Sequence, residues 1–143
     1  MVAAALFLYT FFRRCEEMYK YFQPNPCGRS VGDCAVRAIA AAFDVSWEEA
    51  FDALVKNARA MCDLPNAVSV WSALLRQFGF ECEMIRDYDY TVGDFADDHP
   101  HGVFVLGIDG HVVTVVDGVI MDSFDSSRLN PKFVWRRDRE RRK

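Results

Sequence analysis

Cys34 stands where a loop gives way to an apolar run, Asp33-Cys34-Ala35-Val36-Arg37-Ala38-Ile39-Ala40-Ala41-Ala42-Phe43. A thiol at a helix start meets unpaired backbone N–H groups and a partial positive charge. Both lower its pKa and stabilise negative charge formed beside it. Cysteine is also among the most buried residue types, so an isolated Cys on an Ala-rich helix reads first as a small core hydrophobe. The chemistry therefore turns on whether a base and its orienting group reach the same place. Asp117-Gly118, between two apolar runs, is a strong hairpin signal. A two-residue turn there sets Val116 opposite Val119, Val113 opposite Asp122 and His111 opposite Phe124. Since side chains alternate along a strand, His111, Val113, Asp122 and Phe124 are expected on one face, with His111 and Asp122 as diagonal neighbours. A histidine held by an acid through one nitrogen, with the other turned outward, is the base a Cys nucleophile needs.

These residues need elements to position them. The dense apolar positions Val36, Ile39, Ala40 and Phe43 predict a central helix over 34–43, with Asp33 as its N-cap and no further role. Arg37 interrupts that surface, and it is expected to snorkel or to pair with a carboxylate the sequence does not name. Ser46-Trp47-Glu48-Glu49 is a capping box, and a helix to about 61 follows, with Trp47, Ala50, Phe51, Leu54 and Ala58 at core spacing. A third helix over 67–78 buries Val70, Trp71, Leu74 and Leu75 and stops at Gly79. A strand over 80–85 and one helical turn within 91–98 come next. Three β-rich runs cover 103–107, 111–116 and 119–124, and 129–135 adds a last strand. Pro24-Asn25-Pro26 and the following 27–32 read as loop. His99-Pro100-His101 reads as a turn with exposed histidines.

Of 143 residues, 51% are hydrophobic and 14% aromatic, which suffices for one packed domain. The formal charge of -4 is uneven, because residues 136–143 carry +4 and leave -8 on the rest. An acidic body is a poor platform for a phosphate backbone, and a short basic end reads as a solvated tail, so no nucleic-acid partner is expected. Five cysteines at Cys15, Cys27, Cys34, Cys62 and Cys82 show none of the short paired spacings of zinc sites or redox dithiols. Reduced thiols and a cytoplasmic location are the expectation, although Cys27 and Cys34 could pair in principle. A metal set drawn from the cysteines with His99, His101 and His111 would need long-range assembly, and neither metal nor cofactor is expected. Residues 2–12 are apolar but too short to span a bilayer, and Arg13 and Arg14 follow the run instead of preceding it as in a signal peptide. Residues 1–17 therefore read as an upstream extension or a weak membrane-surface helix, not a stable anchor, and 18–135 as the domain.

A Cys at the start of a central helix in a helical half, then a β-rich half bearing His and an acid, resembles the papain-like cysteine peptidases. Asp122-Ser123-Phe124 is similar to their Asn-Ser-Trp, in which the Asn orients the catalytic His and the Trp shields that hydrogen bond from water. Gly110-His111 also suits the pattern, and small papain-like proteins of bacteria and phages share the Gly-Asp-Cys and Asp-Ser-aromatic features. The resemblance covers about residues 19–135, in topology more than in identity. It implies an α+β fold whose N-terminal helical half packs on a C-terminal antiparallel sheet. It further implies a Cys34-His111-Asp122 triad acting on a peptide or protein substrate, with Phe124 as the shield. The Gln that such enzymes place six residues before the Cys is Gly28 here. Asn25, held between prolines, or Gln23 would have to supply the oxyanion donor beside the Cys34 N–H. Hydrolysis, acyl transfer to an amine, and a catalytically silent binding module all remain compatible with this pattern.

Overall fold

The computed structural model describes residues 18–137. The apolar N-terminal run and most of the basic tail lie outside the described residues, and the readings made of them with it. A short strand β1 (Tyr19–Tyr21) precedes helices α1 (Cys34–Phe43), α2 (Trp47–Met61) and α3 (Val68–Gln77). Strand β2 (Phe80–Met84) and the short helix α4 (Val92–Asp98) lead into β3 (Val103–Ile108), β4 (His111–Val116), β5 (Val119–Asp122) and β6 (Phe133–Arg137). The chain is thus α+β, with four helices and a six-stranded sheet among the described residues.

Local sequence explains most of these boundaries. Asp44 adopts a left-handed conformation (φ 52°) and returns its N–H to Ala40, ending α1. Ser46 and Glu49 close both bonds of the capping box that starts α2. Thr91 and Asp94 do the same for α4. Asp117 (φ 48°) and Gly118 (φ 76°) both take positive φ, as the tightest hairpin turn demands.

The strand order is β1-β5-β4-β3-β6-β2. Neighbours from β5 to β2 are antiparallel, but β1 runs parallel to β5 with Tyr21 beside Asp122, so the sheet is mixed and not purely antiparallel. The parallel pairing needs a long crossover, which α1 to α3 and the strands after them supply. Its consequence is positional. Chain leaving β1 emerges at the same end of the sheet as chain leaving β5, and the Phe22 N–H donates to the Asp122 carbonyl at 2.7 Å. The loop that carries Gln23 and Asn25 toward α1 therefore starts beside Asp122.

Three layers result. Ala35, Ile39, Leu54, Val70, Leu74 and Trp71 of α1 to α3 pack on one face of the sheet, against Val105, Val112 and Trp135. Val92 and Phe95 of α4 cover the other, against Leu106, Val113, Val115, Ile120 and Val134. The buried Thr114 hydroxyl donates to the Ala38 carbonyl at 2.7 Å and ties β4 to α1. No helix among the described residues is long and apolar enough to cross a membrane.

The β4–β5 register begins as the turn dictates, with Val116 opposite Val119, Val115 opposite Ile120 and Thr114 opposite Met121. The ladder ends there and β5 ends at Asp122, so the expected pairings of Val113 with Asp122 and of His111 with Phe124 are not part of it, and the shared face expected for His111, Val113, Asp122 and Phe124 is corrected as well. Val113 packs with Ile120 in the α4 layer, whereas His111 and Asp122 engage residues of α1. They are the first residue of β4 and the last of β5, at the end of the sheet beside the start of α1.

Candidate active site

Cys34 is the first residue of α1 and is half-buried. Asp33 occupies the N-cap position, but its carboxylate makes no capping bond, which corrects the reading of it as a cap alone. Instead, the Trp47 Nε1–H donates to Asp33 Oδ2 at 2.9 Å, and Arg37 Nη1 donates to Oδ1. The first-turn amides of α1 therefore have no side-chain cap and face the thiol's surroundings with their partial positive charge.

The His111 imidazole lies between the thiol and an acid. Its Nε2 meets Asp122 Oδ2 at 2.6 Å, and the ring is near enough to the Cys34 thiol for each to shift the other's ionisation. Asp122 is 1% exposed. Its Oδ1 accepts from the Ser123 N–H at 2.7 Å and from Arg37 Nη2 at 3.3 Å. The Phe124 ring sits against His111 with centroids 5.0 Å apart, although the phenylalanine itself is 46% exposed. On β1 the Tyr19 hydroxyl donates to the Asp122 backbone carbonyl at 3.4 Å.

These contacts set the ionisation of the three groups. The hydrogen bond from His111 is the main cause of a lowered Cys34 pKa. Burial opposes it, while the Val112 N–H and the charges of His111 and Arg37 assist it. Burial also works against a charged His111, yet the bonds and charges of Asp122 and Cys34 prevail and raise its pKa from 6.5 to about 9. Burial disfavours the Asp122 carboxylate as well, and the bond and charge of His111, with help from Ser126 and the Ser123 N–H, outweigh it and lower the pKa. All three shifts favour the thiolate and imidazolium pair over the neutral one, and such a pair is a nucleophile with its acid already attached.

Of the residues singled out in the sequence, Cys34, His111, Asp122 and Phe124 meet. Asn25 and Gln23 do not join them. Asn25 Oδ1 accepts the Cys27 N–H at 2.9 Å, and Gln23 Oε1 accepts the Asn25 N–H at 3.3 Å, so both amide oxygens are held by their own loop. Neither side chain bonds to Cys34 or His111 among the described residues. Cys27 is a free, exposed thiol and is not paired with Cys34. His101 is exposed as expected, but His99 is not a free loop residue: it stacks on Phe95 at 3.9 Å. No cluster of His, Cys, Asp and Glu able to hold a metal occurs among the described residues. Two surface concavities, one around Phe80, Phe104 and Arg137 and one around Met18, Pro100 and Gly118, lie away from the thiol.

Arg37 is the residue whose role the sequence left open. It is 6% exposed and bridges Asp33 and Asp122. A charge on an apolar helix, four residues after an acid, was the available signal for the first partner. Nothing local pointed to the second, 85 residues away.

Compared with protein-family models, curated proteins and solved structures, the chain has no significant match to any of them.

Proposed function

We propose that the protein is a thiol-dependent hydrolase of papain-like type, a cysteine peptidase or isopeptidase built on Cys34, His111 and Asp122. The observation that carries this reading is the His111 imidazole, with Nε2 2.6 Å from the carboxylate of the buried Asp122 and its ionisation coupled to that of the Cys34 thiol at the start of α1. The arrangement of helical layer, nucleophile at a helix start, and His and acid on adjoining strands supports the same family reading.

In the proposed reaction the Cys34 thiolate attacks the carbonyl carbon of an amide, and the carbonyl electrons move onto its oxygen. The Cys34 N–H at the uncapped start of α1 stabilises that oxyanion. Collapse of the intermediate breaks the C–N bond, the His111 imidazolium protonates the departing amine, and a thioester to Cys34 remains. His111, now neutral, takes a proton from water, whose oxygen attacks the thioester. The acid product leaves, and the thiolate and imidazolium pair is restored. An amine in place of water makes the same site a transamidase. Phe124 over His111 would keep water from the His111–Asp122 bond. No cofactor enters the scheme, and reduced thiols suit a cytoplasmic setting.

A second reading, a catalytically silent binding module of the same fold, draws on one observation: the amides of Gln23 and Asn25 have their oxygens engaged within the loop instead of turned to the thiol. The test is acid quenching after mixing the protein with a panel of peptide, isopeptide and activated peptide thioester substrates, followed by mass spectrometry. The hydrolase reading expects an acyl adduct on Cys34 that decays to product and is absent in Cys34→Ala. Absence of adduct and turnover across the panel favours the binding module.

A further inference from the structure

We propose that Arg37 is a positioning residue of the thiol centre, clamping the helix that starts at Cys34 to the strand that ends at Asp122 and setting the charge balance of the pair. The proposal rests on the reading of Cys34, His111 and Asp122 as a thiol centre.

The geometry distinguishes this from an ordinary surface ion pair. Asp33, Arg37 and Asp122 are all at least 94% buried. Arg37 does not grip one carboxylate with two nitrogens, the arrangement that maximises a single ion pair. It sends Nη1 to Asp33 and Nη2 to Asp122 Oδ1 at 3.3 Å, and the buried Nε is left without a hydrogen-bond partner. An unsatisfied buried donor costs stability, so the guanidinium is spread between two elements at some expense. Asp33, held by Trp47 at 2.9 Å, fixes the near end of the span. Asp122, which also holds His111 at 2.6 Å, is the far end. Arg37 lies one helical turn after Cys34, so the span fixes where the thiol sits relative to the imidazole.

Charge alternates along the same path. Asp33, Arg37, Asp122 and His111 present negative, positive, negative and positive groups, and the path ends on the Cys34 thiolate. The groups facing the centre are Asp33 and Arg37 from α1, His111 from β4, Asp122 from β5 and, from β1, the Tyr19 phenol. Arg37 is the permanent cation among them. It balances Asp122 even when His111 is neutral, as it must be midway through the reaction. Removing its charge makes the surroundings of Cys34 more negative, and removing the charge of Asp33 makes them more positive. The two substitutions therefore move the thiol in opposite directions.

The test is the pH profile of Cys34 alkylation by iodoacetamide, read by peptide mapping in the full chain. For Arg37→Met the acid limb is expected to move up by about one pH unit, with partial return in Arg37→Lys. In Asp33→Asn, where the amide oxygen still receives the Trp47 N–H, the limb is expected to move down. A residue serving only packing would lower the amplitude in both variants, or move both limbs the same way. That result, or unmoved limbs in both, overturns the proposal. Should Arg37→Met not fold, Asp33→Asn decides alone: a limb that stays or rises overturns the proposal. His111→Ala separates this from the underlying reading. If His111→Ala slows Cys34 while the Arg37 and Asp33 variants leave the limb in place, the clamp fails and the triad stands. If His111→Ala changes nothing, the triad reading itself fails.

Discussion

His99 and His111 are both partly buried, each lies against a phenylalanine ring, and each puts a ring nitrogen on an oxygen. His99 stacks on Phe95 with planes 12° apart, and its Nδ1 meets the Phe95 carbonyl at 2.8 Å, four residues back along the same segment. His111 tilts against Phe124 at 40°, and its Nε2 meets a carboxylate from another strand at 2.6 Å. The difference lies in what surrounds the ring. At His99 the ring lies among aromatic side chains, with Phe104 4.9 Å away, and the residue caps the end of a helix. At His111 the ring is coupled to a thiol at a helix start. A local backbone acceptor makes a histidine a piece of packing, whereas a buried anion on one side and a thiol nearby give it the surroundings that the proposed base requires.

The largest effect that would break this comparison is on turnover of an activated peptide thioester. Cys34→Ala should abolish it, and His111→Ala should reduce it about 10²–10⁴-fold, the usual worth of a positioned general base. His99→Ala should leave turnover within about twofold while costing about 1 kcal/mol of stability, the worth of a stacked ring pair, measured by urea unfolding. Equal losses of turnover in the two histidine variants would erase the distinction.

The next effect is on stability. Asp122→Ala leaves Arg37 and His111 without their shared anion, and breaking such a buried pair should cost about 3–5 kcal/mol. Asp122→Asn, which keeps an acceptor for His111, should cost clearly less.

The pH dependence of stability sharpens the same point. The raised pKa of His111 contributes stability that is complete below its ordinary 6.5 and is lost as pH rises through about 9. The lowered pKa of Cys34 works the other way: its contribution is complete above the ordinary 9.0 and is lost as pH falls through the folded value. Wherever the folded thiol has ionised and the imidazole is still charged, the folded pair holds as many protons as the unfolded thiol with neutral imidazole. Their contributions therefore cancel, and this pair should add no slope there. In Cys34→Ala the cancellation is gone and stability should fall as pH climbs from 6.5. An unchanged slope in the variant would contradict an ion pair at Cys34. The smallest effect is expected for Phe124→Ala, a loss of about twofold to fivefold in turnover as water reaches the His111–Asp122 bond, with little change in unfolding.

Much of this arrangement was legible in the sequence because short-range chemistry dictates it. Asp117-Gly118 can be little other than a tight hairpin, and that turn brings the strands bearing His111 and Asp122 side by side. Ser46 with Glu49, and the spacing of Val70, Trp71, Leu74 and Leu75, likewise foretold α2 and α3. What escaped depends on distant partners. A three-residue strand such as β1 carries too little pattern to announce a parallel partner a hundred residues on. The packing of Val113 in the α4 layer, while His111 and Asp122 engage α1 at the sheet end, depends on which helices cover each part of the sheet, and alternation alone does not say that. Asp33 resembled any N-cap until Trp47 and Arg37 were seen to claim both its oxygens.

Cys34 and Cys82 offer the most direct measurement. Cys82 is the more exposed, on edge strand β2, but burial of its thiol pushes its pKa up, whereas the His111 bond pulls that of Cys34 down. Competitive alkylation of the native protein with iodoacetamide at pH 6.5, followed by peptide mapping, sets ionisation against access. The account predicts that Cys34 is labelled at least about tenfold faster than Cys82 and that His111→Ala removes the advantage. Cys82 reacting as fast as Cys34 in the wild-type protein, or a Cys34 rate indifferent to His111→Ala, would return Cys34 to the core as an inert thiol.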